Sequence, residues 1–238
     1  MDVDKALLVE VFGESSDGED LEEEQSGFDN GSQPNYSWER IEEVKGLWLC
    51  TDFLSPQRQA SLLSAIQDEG WFTEASYNQA MRFGDLPAWA TELSASIRDV
   101  VLSSNNLDHG EDELCPFPLD LLWREPLFDQ LIVNVYHPDE GICGHVDLMR
   151  FEDGIAIVSL ESSCVMHFSS IEGTDSDIAR TKVPVYLTPG SLVLMSGEAR
   201  YQWKHEINRK PGFQKWEGED IDQKRRTSVT LRKLRQIE

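Results

Sequence analysis

The 238-residue chain predicts a mainly β, α+β architecture: a β-sandwich or jelly roll with a helical layer on its N-terminal side. Three observations predict it. Downstream of about Phe128 the chain breaks into short β-branched and apolar runs separated by turn signals. The two segments with helical periodicity both lie upstream of those runs, so helices and strands are segregated along the chain. No internal repeat is visible, which argues against a solenoid or propeller.

Residues 1–35 hold 11 acids and a single base. Within them, residues 13–35 are Glu, Asp, Ser and Gly with few large side chains. Such a segment buries too little apolar surface to offset its ordering entropy, so it reads as an acidic, disordered tail before one domain over 36–238. The apolar run Ala6-Leu7-Leu8-Val9-Glu10-Val11-Phe12 either docks on that domain or binds a protein partner. Order resumes near Trp38, and residues 46–54 read as a short strand. Ser55-Pro56 supplies an N-cap and a proline at the first helical position. Ala60, Leu63, Ala65 and Ile66 then form an apolar stripe, and Gly70 ends the helix. A second helix spans 87–104, with Leu93, Ile97, Val100 and Val101 on one face. Residues 105–120 are polar and proline-containing, hence a loop. Strands follow at 131–136, 155–160, 164–169, 183–187, 191–195, 200–207 and 226–234. Pro138-Asp139-Glu140-Gly141 and Thr188-Pro189-Gly190 are turns between them.

The formal charge is −23. Residues 36–199 carry 27 acids and 9 bases, whereas residues 200–238 carry 6 acids and 11 bases. That balance excludes a surface built throughout for phosphates but leaves room for a local basic groove. No apolar run approaches the ~18 residues of a membrane-spanning helix. Met1-Asp2-Val3-Asp4-Lys5 lacks the basic and apolar regions of a secretory signal. Cys50, Cys115, Cys143 and Cys164 are scattered, with no C-x-x-C pair, and read as reduced thiols. The expectation is a soluble intracellular protein, cytoplasmic and/or nuclear, with no membrane partner.

His145-Val146-Asp147 is the first chemical signal. On a strand, residues i and i+2 share a face, so both side chains can reach one ion. A third ligand is needed, and His205 in Tyr201-Gln202-Trp203-Lys204-His205 is the best candidate. Two histidines and one carboxylate make the facial triad of non-haem Fe(II) oxygenases, with positions left open for a co-substrate and dioxygen. H-x-D alone is weak evidence, and a structural zinc site is the alternative, though such sites usually have four protein ligands. His109 in a polar loop, His137 at a turn and His167 after a buried strand compete poorly.

Arg226-Thr227-Ser228-Val229-Thr230-Leu231-Arg232 is the second signal. Alternation puts Arg226, Ser228, Thr230 and Arg232 on one face, and Val229 and Leu231 on the other. Two guanidinium forks on one face could grip both ends of a dicarboxylate, or the face could simply be solvated. Asn134 and Tyr136 share a face in the same way and offer an amide and a phenol to a similar anion.

These residues resemble the AlkB-like 2-oxoglutarate and Fe(II)-dependent dioxygenases. Asn134-Val135-Tyr136, Gly141, His145-Val146-Asp147, His205 and the R-x5-R pair Arg226/Arg232 recur in the family's order. The stretch from Ser191 through Ser196-Gly197-Glu198-Ala199-Arg200 to His205 also looks like the family's approach to its distal histidine. The resemblance covers about residues 47–234, and its nearest flavour is the homologues related to tRNA wobble-uridine hydroxylases. It implies a double-stranded β-helix with Fe(II) on His145, Asp147 and His205, and 2-oxoglutarate and dioxygen as co-substrates. It also implies that Arg226 takes the distal carboxylate of 2-oxoglutarate and Arg232 sits near its C1 end, with Asn134 and Tyr136 completing the pocket. Oxidative demethylation or hydroxylation is the implied reaction.

For the substrate, the family's lid over a flipped or single-stranded base corresponds to residues 71–89 here. Phe72, Tyr77, Met81, Arg82, Phe83 and Trp89 are stacking or cationic candidates, with Tyr77, Met81, Arg82 and Phe83 foremost; ordinary core is the alternative. Lys204, Arg209, Lys210, Lys215, Lys224, Arg225, Lys233 and Arg235 are candidate phosphate contacts. Three functions follow: a dioxygenase on a base in RNA or DNA, the same chemistry on a protein side chain, or a metal-binding jelly-roll scaffold without turnover.

Overall fold

Strands whose every residue is buried form the centre of the molecule. Ile155–Leu160 and Arg226–Arg232 show no exposed position along their length, and neither does Leu192–Met195. Both faces of the sheet they belong to are therefore covered. The computed structural model describes residues 36–74, 78–104, 115–171, 182–210 and 212–236. The acidic tail, Ala6–Phe12 included, as well as Tyr77 and His109, lies outside the described residues.

Along the chain the elements are β1 (Trp38–Arg40), β2 (Leu47–Cys50), α1 (Pro56–Asp68), β3 (Gln79–Phe83), α2 (Ala88–Ser104), α3 (Leu119–Leu122), β4 (Gln130–Tyr136), β5 (Ile142–His145) and β6 (Ile155–Leu160). They continue with β7 (Cys164–Ser170), β8 (Lys182–Leu187), β9 (Leu192–Met195), α4 (Gly197–Tyr201), β10 (Trp203–Ile207), β11 (Lys215–Trp216), β12 (Glu219–Asp220) and β13 (Arg226–Arg232). The major sheet has the order β1-β2-β9-β6-β13-β4-β3 and the minor sheet β5-β10-β7-β8, with antiparallel pairing throughout. Two such sheets face to face make the expected double-stranded β-helix.

Alternation along the central strands feeds two cores. Leu131, Val133, Ala156, Val158, Leu192, Leu194, Val229 and Leu231 face α1 and α2. Ile155, Ile157, Val193 and Met195 face the minor sheet, where Met166, Phe168, Val183 and Val185 meet them. Val229 and Leu231 thus sit on the helix side, as the alternation predicts. The other face of β13 looks between the sheets and is buried, which removes the solvated-face alternative. Ser55 caps α1 by accepting from the Arg58 N–H at 3.3 Å. On α1 the buried residues are Leu62 and Ile66, with Leu63 and Ala65 half-buried, while the predicted Ala60 is exposed. On α2 the predicted Leu93, Ile97, Val100 and Val101 are all buried.

Several expectations change. The run 200–207 is split: α4 occupies its start, and the strand begins at Trp203. The strand carrying H-x-D ends at His145, so Asp147 projects from the turn beyond it and not from position i+2 of a strand. The predicted loop 105–120 gives way to α3 at Leu119, its first part lying outside the described residues. Strands β1, β3, β11 and β12 have no counterpart in the sequence reading. They are short or at an edge, and such strands carry little of the two-sided burial that writes an apolar run. Gly46, at φ +86°, joins β2 to the end of β9: a side chain there would collide with the Ser196 carbonyl.

Candidate metal centre

Cross-strand register brings the two histidines together. His145 ends β5 and lies directly opposite His205 on β10. Their ring centroids are 4.3 Å apart. Gly141 permits the approach of β5 to β10, because a Cβ there would collide with the Ile207 carbonyl oxygen. Asp147 enters from the following turn, and its Oδ2 lies 3.7 Å from His205 Nε2. Donor atoms of His145, Asp147 and His205 all fall within 4.8 Å of one another. Among the described residues, this is the one such cluster of three His, Cys or acidic side chains.

The surrounding contacts aim these donors. The Cys143 carbonyl can only accept, so His145 Nδ1 donates to it at 2.9 Å, which leaves Nε2 free to ligate. Arg232 pairs through Nη1 with Asp147 Oδ1 and donates from Nε to Gln130 Oε1 at 2.6 Å. That fixes the carboxylate with its other oxygen toward His205. Burial works to raise the Asp147 acid, but His205, Arg232 and His145 outweigh it and hold the carboxyl below its usual range. Burial depresses His205 to about 4, against an opposing pull from Asp147, so its ring is neutral near pH 7. Its Nδ1 is buried without a partner among the described residues.

One functional residue escapes the sequence reading. Arg200, fully buried on α4, donates to the carbonyls of Asp147 (3.0 Å), Leu148 (2.9 Å) and Phe151 (3.1 Å). It ties down the turn that delivers Asp147, where no strand geometry does so. In the sequence it stands at the start of the predicted strand 200–207, where nothing marks it for burial.

The triad lies on a cavity of about 200 Å³ between the sheets. Asn134, Tyr136, Ser228, Thr230 and Arg232 line it, with Ile132, Ile142, Ile157, Met166 and Ile207 supplying apolar walls. Asn134 Oδ1 accepts from Gln79 Nε2 at 2.7 Å. Arg226 stands opposite Tyr136 in the β13–β4 register, 5.5 Å from its ring, and donates to Ser159 Oγ at 2.8 Å. Its guanidinium is buried, its Nε has no partner, and it forms no ion pair among the described residues. A buried, uncompensated cation is costly, so this group fits an anionic ligand. Two imidazoles and a carboxylate with further positions open likewise fit a first-row ion such as Fe(II).

The substrate candidates separate. Met81 and Gln79 line the cavity mouth, and Phe83 lies on the same face of β3. Arg82 points the other way, with its guanidinium 4.2 Å over the Trp71 ring. Trp71, Phe72 and Trp89 pack against the helix-side core, so the core alternative describes them. The cavity is also lined by Leu148 and Arg150, both exposed, with Arg150 5.6 Å from the Phe83 ring. The proposed phosphate contacts are mostly engaged elsewhere. Arg209 and Lys233 are buried, the latter 2.9 Å from Asp129. Lys215, Lys224 and Arg225 pair with Asp220, Asp222 and Glu161. Lys204, Lys210 and Arg235 form no ion pair among the described residues.

Comparison with known proteins agrees with this geometry. The model of the 2OG-Fe(II) oxygenase superfamily matches residues 46–232. The tRNA (carboxymethyluridine(34)-5-O)-methyltransferase alkbh8 of Xenopus tropicalis is 32% identical over 169 residues, 68% of this chain and 25% of that protein. ALKBH8 of Macaca fascicularis, of the same description, is 35% identical over 215 residues, 80% of this chain and 31% of that protein. The chain therefore spans a third or less of the length of these two relatives. The solved structure of OsALKBH1 shares the fold, with a TM-score of 0.57 at 16% identity, covering 83% of this chain and all of that one.

Proposed function

The chain belongs to the AlkB-like 2OG-Fe(II) oxygenases, and from that premise we propose that it hydroxylates or demethylates a modified base in RNA, a tRNA wobble uridine being the reading we favour. It is a 2-oxoglutarate-dependent dioxygenase that uses Fe(II), 2-oxoglutarate and dioxygen. The observation that carries the substrate reading is the cavity mouth. The His-Asp-His cluster lines a cavity together with Met81, Leu148 and Arg150, and Phe83 stands beside Arg150. Flat apolar and guanidinium surfaces of this kind stack on an unpaired base and do not require its sequence. The relatives' descriptions, which name a uridine at tRNA position 34, support the same reading. The methyl transfer in those descriptions belongs to longer proteins, of which the matched parts are 25% and 31%, and is not chemistry of this donor set. We also propose that residues 36–238 form the catalytic domain and 1–35 an acidic tail. We propose a cytoplasmic and/or nuclear location, which an RNA substrate supports. No helix among the described residues is long and apolar enough to cross a membrane.

His145, Asp147 and His205 would hold Fe(II) and leave adjacent positions for ligands. Bound there, Fe(II) supplies dioxygen activation, which converts 2-oxoglutarate to succinate and carbon dioxide and inserts one oxygen atom into a substrate C–H bond. Arg226 binds the distal carboxylate, while Asn134 and Tyr136 orient the chain of the co-substrate. Arg232 holds Asp147 in place and lies on the same cavity, at the C1 end. Ile132, Ile157 and Met166 keep water from the reacting atoms. Hydroxylation of an N-methyl carbon releases formaldehyde, whereas hydroxylation of a carbon substituent leaves an alcohol, so one site serves both outcomes.

The test is mass spectrometry of tRNA nucleosides after incubation with the Fe(II)-loaded protein, with His145→Ala as control. A new or lost modified uridine, formed with stoichiometric succinate, is expected. Unchanged RNA together with succinate release stimulated by a basic protein would move the substrate to a protein side chain, a reading that the ion-paired C-terminal bases and the −23 charge favour.

A further inference from the structure

Two guanidiniums, not one, are buried beside Tyr136 without an ion pair among the described residues. Arg226 is the first. Arg209 follows β10 and is also buried, at 6% exposure against 1% for Arg226, and lines a second cavity beside Gly141 and Cys143. Its Nη1 donates to the His137 carbonyl at 3.3 Å and, at 3.5 Å, to that of Lys224. Its Nε and Nη2 are buried and have no partner among the described residues. The carbonyl it reaches belongs to the residue next to Tyr136, and Tyr136 is the residue Arg226 faces across β4 and β13. Gly141 makes room for the Arg209 stem, since a Cβ there would lie 3.3 Å from Arg209 Cγ.

No acidic side chain among the described residues forms an ion pair with either member of this pair. Burial raises both the Cys164 thiol and the Tyr136 phenol, so both stay neutral near pH 7. Asp139 acts on Arg209 only from a distance: it is exposed and forms no ion pair with it. Two adjacent buried cations repel each other and are each costly to desolvate. A carboxylate has two oxygens and accepts from two forks at once.

We propose that Arg209 is a second binding residue for the distal carboxylate of 2-oxoglutarate, forming with Arg226 a two-guanidinium clamp that selects a dicarboxylate over a monocarboxylate keto acid. The proposal rests on the reading of Arg226 given above and assigns to Arg209 a role other than phosphate contact. It explains why Arg209 is folded inward from the most basic stretch of the chain.

Calorimetric titration of the full chain loaded with Mn(II) tests it without turnover. The probes are 2-oxoglutarate and 2-oxopentanoate, which has the same keto-acid head and chain length but lacks the distal carboxylate. Arg209→Ala is expected to weaken 2-oxoglutarate binding by about tenfold to a hundredfold while moving 2-oxopentanoate by less than about twofold. Arg209→Gln, which keeps an N–H donor for the His137 carbonyl but no charge, is expected to lose the same preference, and Arg209→Lys to recover part of it. An equal loss for both probes would mean that Arg209 only braces the loop, and an unchanged preference would remove it from the site. Either result overturns the clamp. If Arg226→Ala abolishes the preference while the Arg209 variants retain it, the Arg226 reading stands and the clamp alone fails. If the wild-type chain shows no preference, both fall.

Discussion

Asp147 shows how much one side chain here depends on its neighbours. It leaves its strand before it reaches the site, so its position comes from Arg200 on three carbonyls and from Arg232 on its own Oδ1. Groups that hold a ligand in this way typically affect metal affinity by about 10- to 100-fold. Arg200→Lys should therefore weaken Mn(II) binding by about that factor, because one ammonium cannot serve three carbonyls along a planar fork. Direct titration of the metal checks this, and an unchanged affinity would reduce Arg200 to a packing role. Arg226→Ala should act on a different axis. It should raise the requirement for 2-oxoglutarate far more than that for iron, as read from succinate production at varied concentrations of each. Equal loss of both would contradict its assignment. The clustering of His145, Asp147 and His205 and the placing of Arg226 and Arg232 on one strand were legible because they follow from spacing along the chain. Arg200 and Arg209 were not, because their roles depend on which backbone carbonyls and which empty space they meet.

Elements differ in how strongly their sequence declares them. Strands β6, β9 and β13 are covered on both faces, so nearly every position is selected for burial and the run stands out. Strand β3 is an edge with alternating exposure, and its Gln79-Ala80-Met81-Arg82-Phe83 reads equally well as a lid. Helix α2 was legible from its periodicity, and the same face carries its stability. Ile97 is fully buried against the sheet, so Ile97→Ala should cost about 2–5 kcal/mol. Urea unfolding measures that loss, and 2-oxoglutarate affinity should stay unchanged, since α2 lies on the side of the sheet away from the cavity. Gly141→Ala should do the reverse of this separation, lowering stability and co-substrate affinity together, because the same collision displaces β5 and the Arg209 stem.

At the scale of the molecule, charge governs how a substrate is met. The −23 chain draws little on the bases of its C-terminal stretch, because five of the eight candidates are buried or ion-paired. RNA binding should consequently show a shallow salt dependence, with a log–log slope of about −1 to −3, and Arg150→Ala should reduce it by about 0.7. Filter binding of single-stranded RNA across a salt series reads both, and a steep slope would reveal a basic surface that the described residues do not contain. The sequence by itself determined the sheet-rich class, the upstream helices, and the candidate cluster of His145, Asp147 and His205, since periodicity and spacing are properties of a line. Only the tertiary structure decided that His145 faces His205, that Asp147 is carried by a turn, that Arg82 points away from the mouth and that Arg209 turns inward. Those outcomes depend on cross-strand register and on which charges find partners, and both are set by residues far apart in the chain.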